Sequence, residues 1–183
     1  MAESLDLDDL EGRFRRVVSS PVWEQLQSAF CSASRVYILG NGGNLLVAQH
    51  AASDISRLTS KHARAPGGAG LASALIQDDG YDHWLLAWLD GELRGLDPQT
   101  IAGVLTIGLS ASGRSRNIFE ALRWVGVRGA QTGLISGRVP TEPLPGIVVD
   151  LDARYYHSSE CLSLMLAYQL IRSAGGESPR LPE

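Results

Sequence analysis

Short apolar runs alternate along this chain with longer segments in which apolar residues recur every three or four positions. The runs at 36–39, 71–76, 104–109, 132–135 and 147–151 have the length and composition of buried strands. The segments between them follow the helical period. Leu45, Ala48, Ala52 and Ile55 fall on one face of a helix over 44–60, and Ile118, Leu122 and Val125 on one face of 116–125. Leu162, Leu166 and Leu170 form a stripe along 157–173, and a short helix is expected over 84–89 with turns at Asp90-Gly91 and Asp97-Pro98. Ahead of the first strand, 5–19 is charged and helix-compatible. Ser20-Pro21 then opens a second helix, an N-cap serine followed by proline at the first helical position, on which Trp23, Leu26 and Phe30 share a face.

Unbroken apolar strands alternating with helices predict an α/β fold, a doubly wound and mainly parallel five-stranded sheet with helices on both faces. An N-terminal helical segment over 1–34 precedes it, packing on the domain or on a neighbouring subunit. The sheet domain is expected over 35–175, with a tail over 176–183.

Two glycine- and serine-rich turns follow strands in this pattern. The first is Gly40-Asn41-Gly42-Gly43-Asn44 and the second runs from Ser110 through Ala111, Ser112, Gly113 and Arg114 to Ser115. A strand that ends in small residues and leads into a helix leaves backbone N–H groups unpaired, and with the helix dipole these form an anion site. The glycines let the backbone approach a ligand, while Ser110, Ser112 and Ser115 add hydroxyls around Gly113. Such turns lie beyond the carboxyl ends of the strands, where ligands bind in parallel sheets. A dinucleotide fingerprint would need a third glycine at position 45, which is Leu45, and no Gly-Lys-Ser/Thr follows to make a phosphate-binding loop of the nucleotidase type; no nucleotide cofactor is expected.

Composition narrows the partners. With 44% hydrophobic residues the 183-residue chain can bury a sizeable core, and a net charge of −4 with mixed signs gives no broad basic surface for direct contact with nucleic acid. Cys31 and Cys161 lack metal or redox spacing and are expected to be reduced thiols, which points to the cytoplasm. No stretch resembles a signal peptide or a membrane span.

The two turns, with Gln49-His50 on the helix after the first and Asn117 after the second, resemble the sugar isomerase (SIS) domain and, within it, the phosphoheptose isomerase branch. Asp78-Asp79-Gly80-Tyr81 is similar to that branch's Asn-Asp-x-Gly-Tyr segment, and the likeness runs from about residue 36 to 171. The resemblance implies that Ser110, Ser112 and Ser115 hold a substrate phosphate. It also implies that Asn41, Gly42, Gly43 and Asn44 line the sugar, that Asp79 faces it, and that the protein is a homo-oligomer, a tetramer in most of the branch. Asn44 stands where the branch usually has serine, and Ala111 where a hydroxyl is common.

The catalytic positions depart further. The branch's His-x-x-x-Glu becomes His50-Ala-Ala-Ser-Asp54, still on one helix face but with a carboxylate shorter by about 1.5 Å. On the last helix, anchoring at Leu170-Ile171 puts His157 at the branch's glutamine and Met165 at its histidine. His50, Asp54, His157 and Glu160 together have the chemistry of a zinc site, with Asp54 the candidate base and His157 or Glu160 the candidate acid. Glu160 and His157 read equally as ordinary polar residues at a helix start. Arg114 and Arg116 flank the serine turn and can add charge to it, whereas His62 and His83 have no partners at motif spacing.

Two functions follow. One is an isomerase of a phosphorylated ketose, sedoheptulose 7-phosphate in the branch, acting through an enediol. The other is a non-catalytic SIS module that binds a phosphosugar and regulates or assembles with another protein.

Overall fold

The computed structural model describes residues 6–177 and 180–181, so Leu5 and part of the expected tail lie outside the described residues. Two helices open the chain, α1 (Leu10–Val18) and α2 (Pro21–Ser32), the second begun by Ser20, whose hydroxyl accepts the Trp23 N–H. β1 (Arg35–Gly40) leads into α3 (Gly43–Leu58), and β2 (His62–Arg64) is followed by α4 (Ala69–Asp79), α5 (Trp84–Leu93) and the single-turn α6 (Pro98–Ala102). β3 (Val104–Ser110), α7 (Arg116–Gly126), β4 (Gln131–Ser136), β5 (Ile147–Asp150) and α8 (Tyr156–Ser173) complete the alternation.

All strand pairs are parallel and the order is β2-β1-β3-β4-β5. The expected three-layer α/β architecture is therefore the one observed. Alternation along the strands feeds two cores. Val36 and Ile38 of β1 join Leu105, Ile107 and Leu109 of β3 under α1, α2, α3 and α8, while Tyr37 and Leu39 face α5 and α7. Trp23, Leu26 and Phe30 are fully buried in the first core, so α2 docks on its own sheet. Among the described residues no helix is long and apolar enough to cross a membrane.

One strand moved. The run at 71–76 is not a strand but the middle of α4, and the edge strand is β2, whose three residues are exposed, buried and exposed. The cause is in the residues: 69–79 is rich in alanine and leucine, good helix formers, with one β-branched side chain, and glycines at 68 and 80 bound it with positive φ. β2 lacks an apolar run because an edge strand buries one face only. Asp90 and Gly91 lie inside α5 rather than in a turn, and Asp97 caps α6 by accepting the N–H groups of Gln99 and Thr100.

Strand order reverses between β1 and β3. Gly40 pairs with Leu109 in the register, so the two strands end level and both turns leave the sheet side by side at this switch point.

Candidate phosphosugar site

A cavity of about 220 Å³ opens at that point, walled by the first turn, the serine turn and the start of α8. Gly42 has φ +55 and caps α3 without a side chain, leaving the first N–H groups of α3 facing the cavity. α7 also starts there without a side-chain cap, since the Ser115 hydroxyl is 2.9 Å from that of Ser110 instead of turning back to its helix. α8 also begins beside this wall, where the Asp8 carboxylate accepts the N–H groups of Arg154 and of the N-cap residue Tyr155 at 2.8 and 3.3 Å. Two helix N-termini without side-chain caps, those of α3 and α7, beside one cavity make it a place for an anion.

The side chains agree. Ser110 is buried, Ser112 accepts the Arg114 N–H at 3.2 Å, and both line the cavity with Ser115. Asn41 and Asn117 exchange amide hydrogen bonds at 2.9 and 2.8 Å, tying the two turns together. Asn44 is 4% exposed, lines the cavity, and its amide carbonyl oxygen has no partner. A buried amide in that state is one a polar ligand would satisfy.

Glu160 is the carboxylate on this wall. It lies so close to Gly43 that a Cβ there would collide with its oxygens, which places the carboxylate at the N-terminus of α3. Tyr156 stands beside it and was not visible as a site residue in the sequence; its signal was only its place ahead of His157 at a helix start.

The other expected site residues lie elsewhere. His50 and Asp54 do meet, with Nε2 and Oδ2 3.3 Å apart, but eleven residues separate Asp54 from Gly43, about 16 Å along α3. There Tyr168 joins them, its hydroxyl 2.9 Å from His50 Nε2 and donating to Asp54 Oδ2 at 3.0 Å, while Arg57 donates to Oδ1 at 2.8 Å. Burial pushes the Asp54 carboxyl upward, yet the hydrogen bonds from Arg57 and Tyr168 outweigh it and hold the group below its ordinary value. Asp54 therefore does not line the cavity between the two turns, where the sequence pattern places the candidate base. Tyr168 itself is pushed up by burial and by donating to Asp54.

His157 turns away from the cavity, placing Nε2 2.8 Å from the Asp6 carbonyl oxygen and stacking on Tyr155. Asp79 is the exposed last residue of α4 and does not line the cavity. The four expected zinc donors thus fall into two pairs at opposite ends of α3 and α8, and among the described residues no three His, Cys, Asp or Glu side chains form a group fit for a metal ion. Both cysteines are unpaired and exposed.

No protein-family model matches the chain. A phosphoheptose isomerase of Pelobacter propionicus is 31% identical over 116 residues, 62% of this chain and 60% of that protein, and one of Geobacter metallireducens is 30% identical over 119 residues, 62% and 59%. The chain thus matches about three fifths of the length of these curated relatives. In three dimensions it superposes on the phosphoheptose isomerase of Neisseria gonorrhoeae with a TM-score of 0.73 over 91% of both chains, at 18% identity. The resemblance read from the two turns is borne out in sequence and in fold.

Proposed function

We propose that this chain, which has the sugar isomerase fold and resembles the phosphoheptose isomerases in sequence, is a phosphosugar isomerase interconverting sedoheptulose 7-phosphate and the corresponding aldose heptose 7-phosphate. The observation that carries the reading is the cavity at the switch point. The uncapped N-termini of α3 and α7 and the hydroxyls of Ser110, Ser112 and Ser115 surround one cavity suited to an anion, and the Glu160 carboxylate stands beside them.

Isomerisation takes a proton from the carbon next to the carbonyl and returns it to the former carbonyl carbon through an enediol. The serine turn and α7 hold the phosphate, Asn44 and the Asn41–Asn117 pair orient the hydroxyls, and Glu160 carries the proton between the two carbons. The N–H groups at the start of α3 stabilise the negative charge that develops on the sugar oxygen. The protein works in this role as a cytoplasmic homotetramer.

Incubation with sedoheptulose 7-phosphate, with and without added zinc, tests the reading by formation of the aldose. Glu160→Gln is expected to lower turnover by about 100-fold or more while the sugar phosphate still binds. Ser110→Ala is expected to weaken binding by about 10- to 100-fold, the worth of a hydrogen bond to a charged group. Sugar binding without turnover in the unaltered protein would overturn the isomerase and leave the non-catalytic binding module.

A further inference from the structure

Beyond the serine turn lies a second cavity of about 230 Å³, which shares Ala111, Ser112 and Tyr156 with the first. The ridge between them is two residues of one turn, about 7 Å of chain. Three arginines line this second cavity, Arg114, Arg138 and Arg154, and no carboxylate does.

The fold delivers each of them by a different route. Arg114 follows Gly113, whose φ of +66 bends the serine turn; a Cβ on Gly113 would lie 2.6 Å from the Arg138 carbonyl oxygen. The loop after β4 is thereby packed on the serine turn, and Ser136 locks it by donating its hydroxyl to the Ser110 and Arg138 carbonyls at 2.9 and 2.6 Å. Arg154 comes from the approach to α8, where its Nε donates to buried Asp8 at 3.0 Å.

Their charges are only partly answered. Arg114 has no ion-pair partner among the described residues, and the carboxylate facing Arg138 is Asp152 at 4.0 Å, which Arg13 already holds at 2.6 Å. Asp8 is likewise shared between Arg154 and Arg13. In a chain of net charge −4, three guanidinium groups around one cavity are a concentrated cationic site.

We infer that, besides the single-anion sugar phosphate of the proposed reaction, the site takes phosphorylated sugars with a second anionic group, phosphate or carboxylate, seated by Arg114, Arg138 and Arg154 across the ridge from the phosphate in the serine turn. This rests on the phosphosugar reading of the first cavity and extends the range of ligands it takes. Molecules with one anion fill one cavity; those with anions at both ends of a short sugar fill both.

Calorimetry with fructose 6-phosphate, fructose 1,6-bisphosphate and 6-phosphogluconate at low salt tests it. At least one of the two ligands with a second anion is expected to bind about tenfold more tightly than fructose 6-phosphate, and which one does so tells phosphate from carboxylate. Arg138→Gln is expected to remove that advantage and Arg138→Glu to reverse it. If fructose 6-phosphate binds and neither other ligand binds more tightly, the inference is overturned and the phosphosugar site stands. An advantage that survives Arg138→Glu also overturns it. If none of the three binds while sedoheptulose 7-phosphate does, the inference is overturned and the phosphosugar reading stands; if that sugar fails as well, both fall.

Discussion

Asp8 is a buried carboxylate beneath the start of α8, next to the arginine-lined cavity. Asp8 has no side-chain exposure, accepts the N–H groups of Arg154 and Tyr155 at 2.8 and 3.3 Å, and pairs with Arg13 and Arg154. Burial pushes its carboxyl upward, but the hydrogen bonds from Arg154, Ser158 and Tyr155 outweigh it and bring it far below the usual range. A folded value below the unfolded one, about 3.9, means that its stabilisation is complete above that pH and is lost as pH falls towards the folded value. Asp54 shifts the same way and adds to the same window. Thermal melts are therefore expected to drop steeply below about pH 4. Asp8→Asn is expected to cost about 3 kcal/mol at neutral pH and to flatten that acid limb, measurable by denaturant titration at pH 7 and pH 3. An Asp8→Asn protein as stable as the parent at pH 7 would show the network to be idle. Nothing in the sequence marks Asp8, because apart from Arg13 its partners lie 146 residues or more away.

At the scale of elements, what was legible in the sequence is what local chemistry decides. Ser20-Pro21 starts α2, the glycines of 40–43 end β1, and the serine turn sits between β3 and α7 because each is set within a few residues. The edge strand was not legible. An apolar run of six residues fits a strand or a helix face equally, and packing of Ala72 and Leu75 against the second core, with the alanine- and leucine-rich composition, makes 69–79 a helix. The contact between the β4–β5 loop and the serine turn is equally tertiary. A Cβ on Gly137 would collide with the Ala111 carbonyl, so Gly137→Ala must push the two loops apart. It is expected to cost about 1–3 kcal/mol and to weaken sugar-phosphate binding, although residue 137 does not line that cavity. Unchanged binding in Gly137→Ala would mean that the turn holds its shape without this contact.

For the whole molecule, the parallel packing of α3 and α8 decides what the site contains. It brings Glu160 to Gly43 and Tyr168 to Asp54, at opposite ends of the same helix pair, and so separates the two imidazoles that the sequence invites one to combine. Leu46 on α3 and Met165 on α8 stay exposed at 67% and 37%, apolar surface suited to a neighbouring subunit. Light scattering at micromolar concentration is expected to return four times the 19.7 kDa chain mass, and a monomer mass would contradict the tetramer. Sequence by itself determined the layered α/β plan and the two turns that make an anion site, since strand alternation, caps and glycine turns are local properties of the chain. Tertiary structure alone decided that Glu160, and not Asp54 or His157, lines the cavity between the two turns. It also decided that three arginines stand across the ridge. Distances between residues on different elements depend on how those elements pack, and helix spacing fixes only which residues share a face.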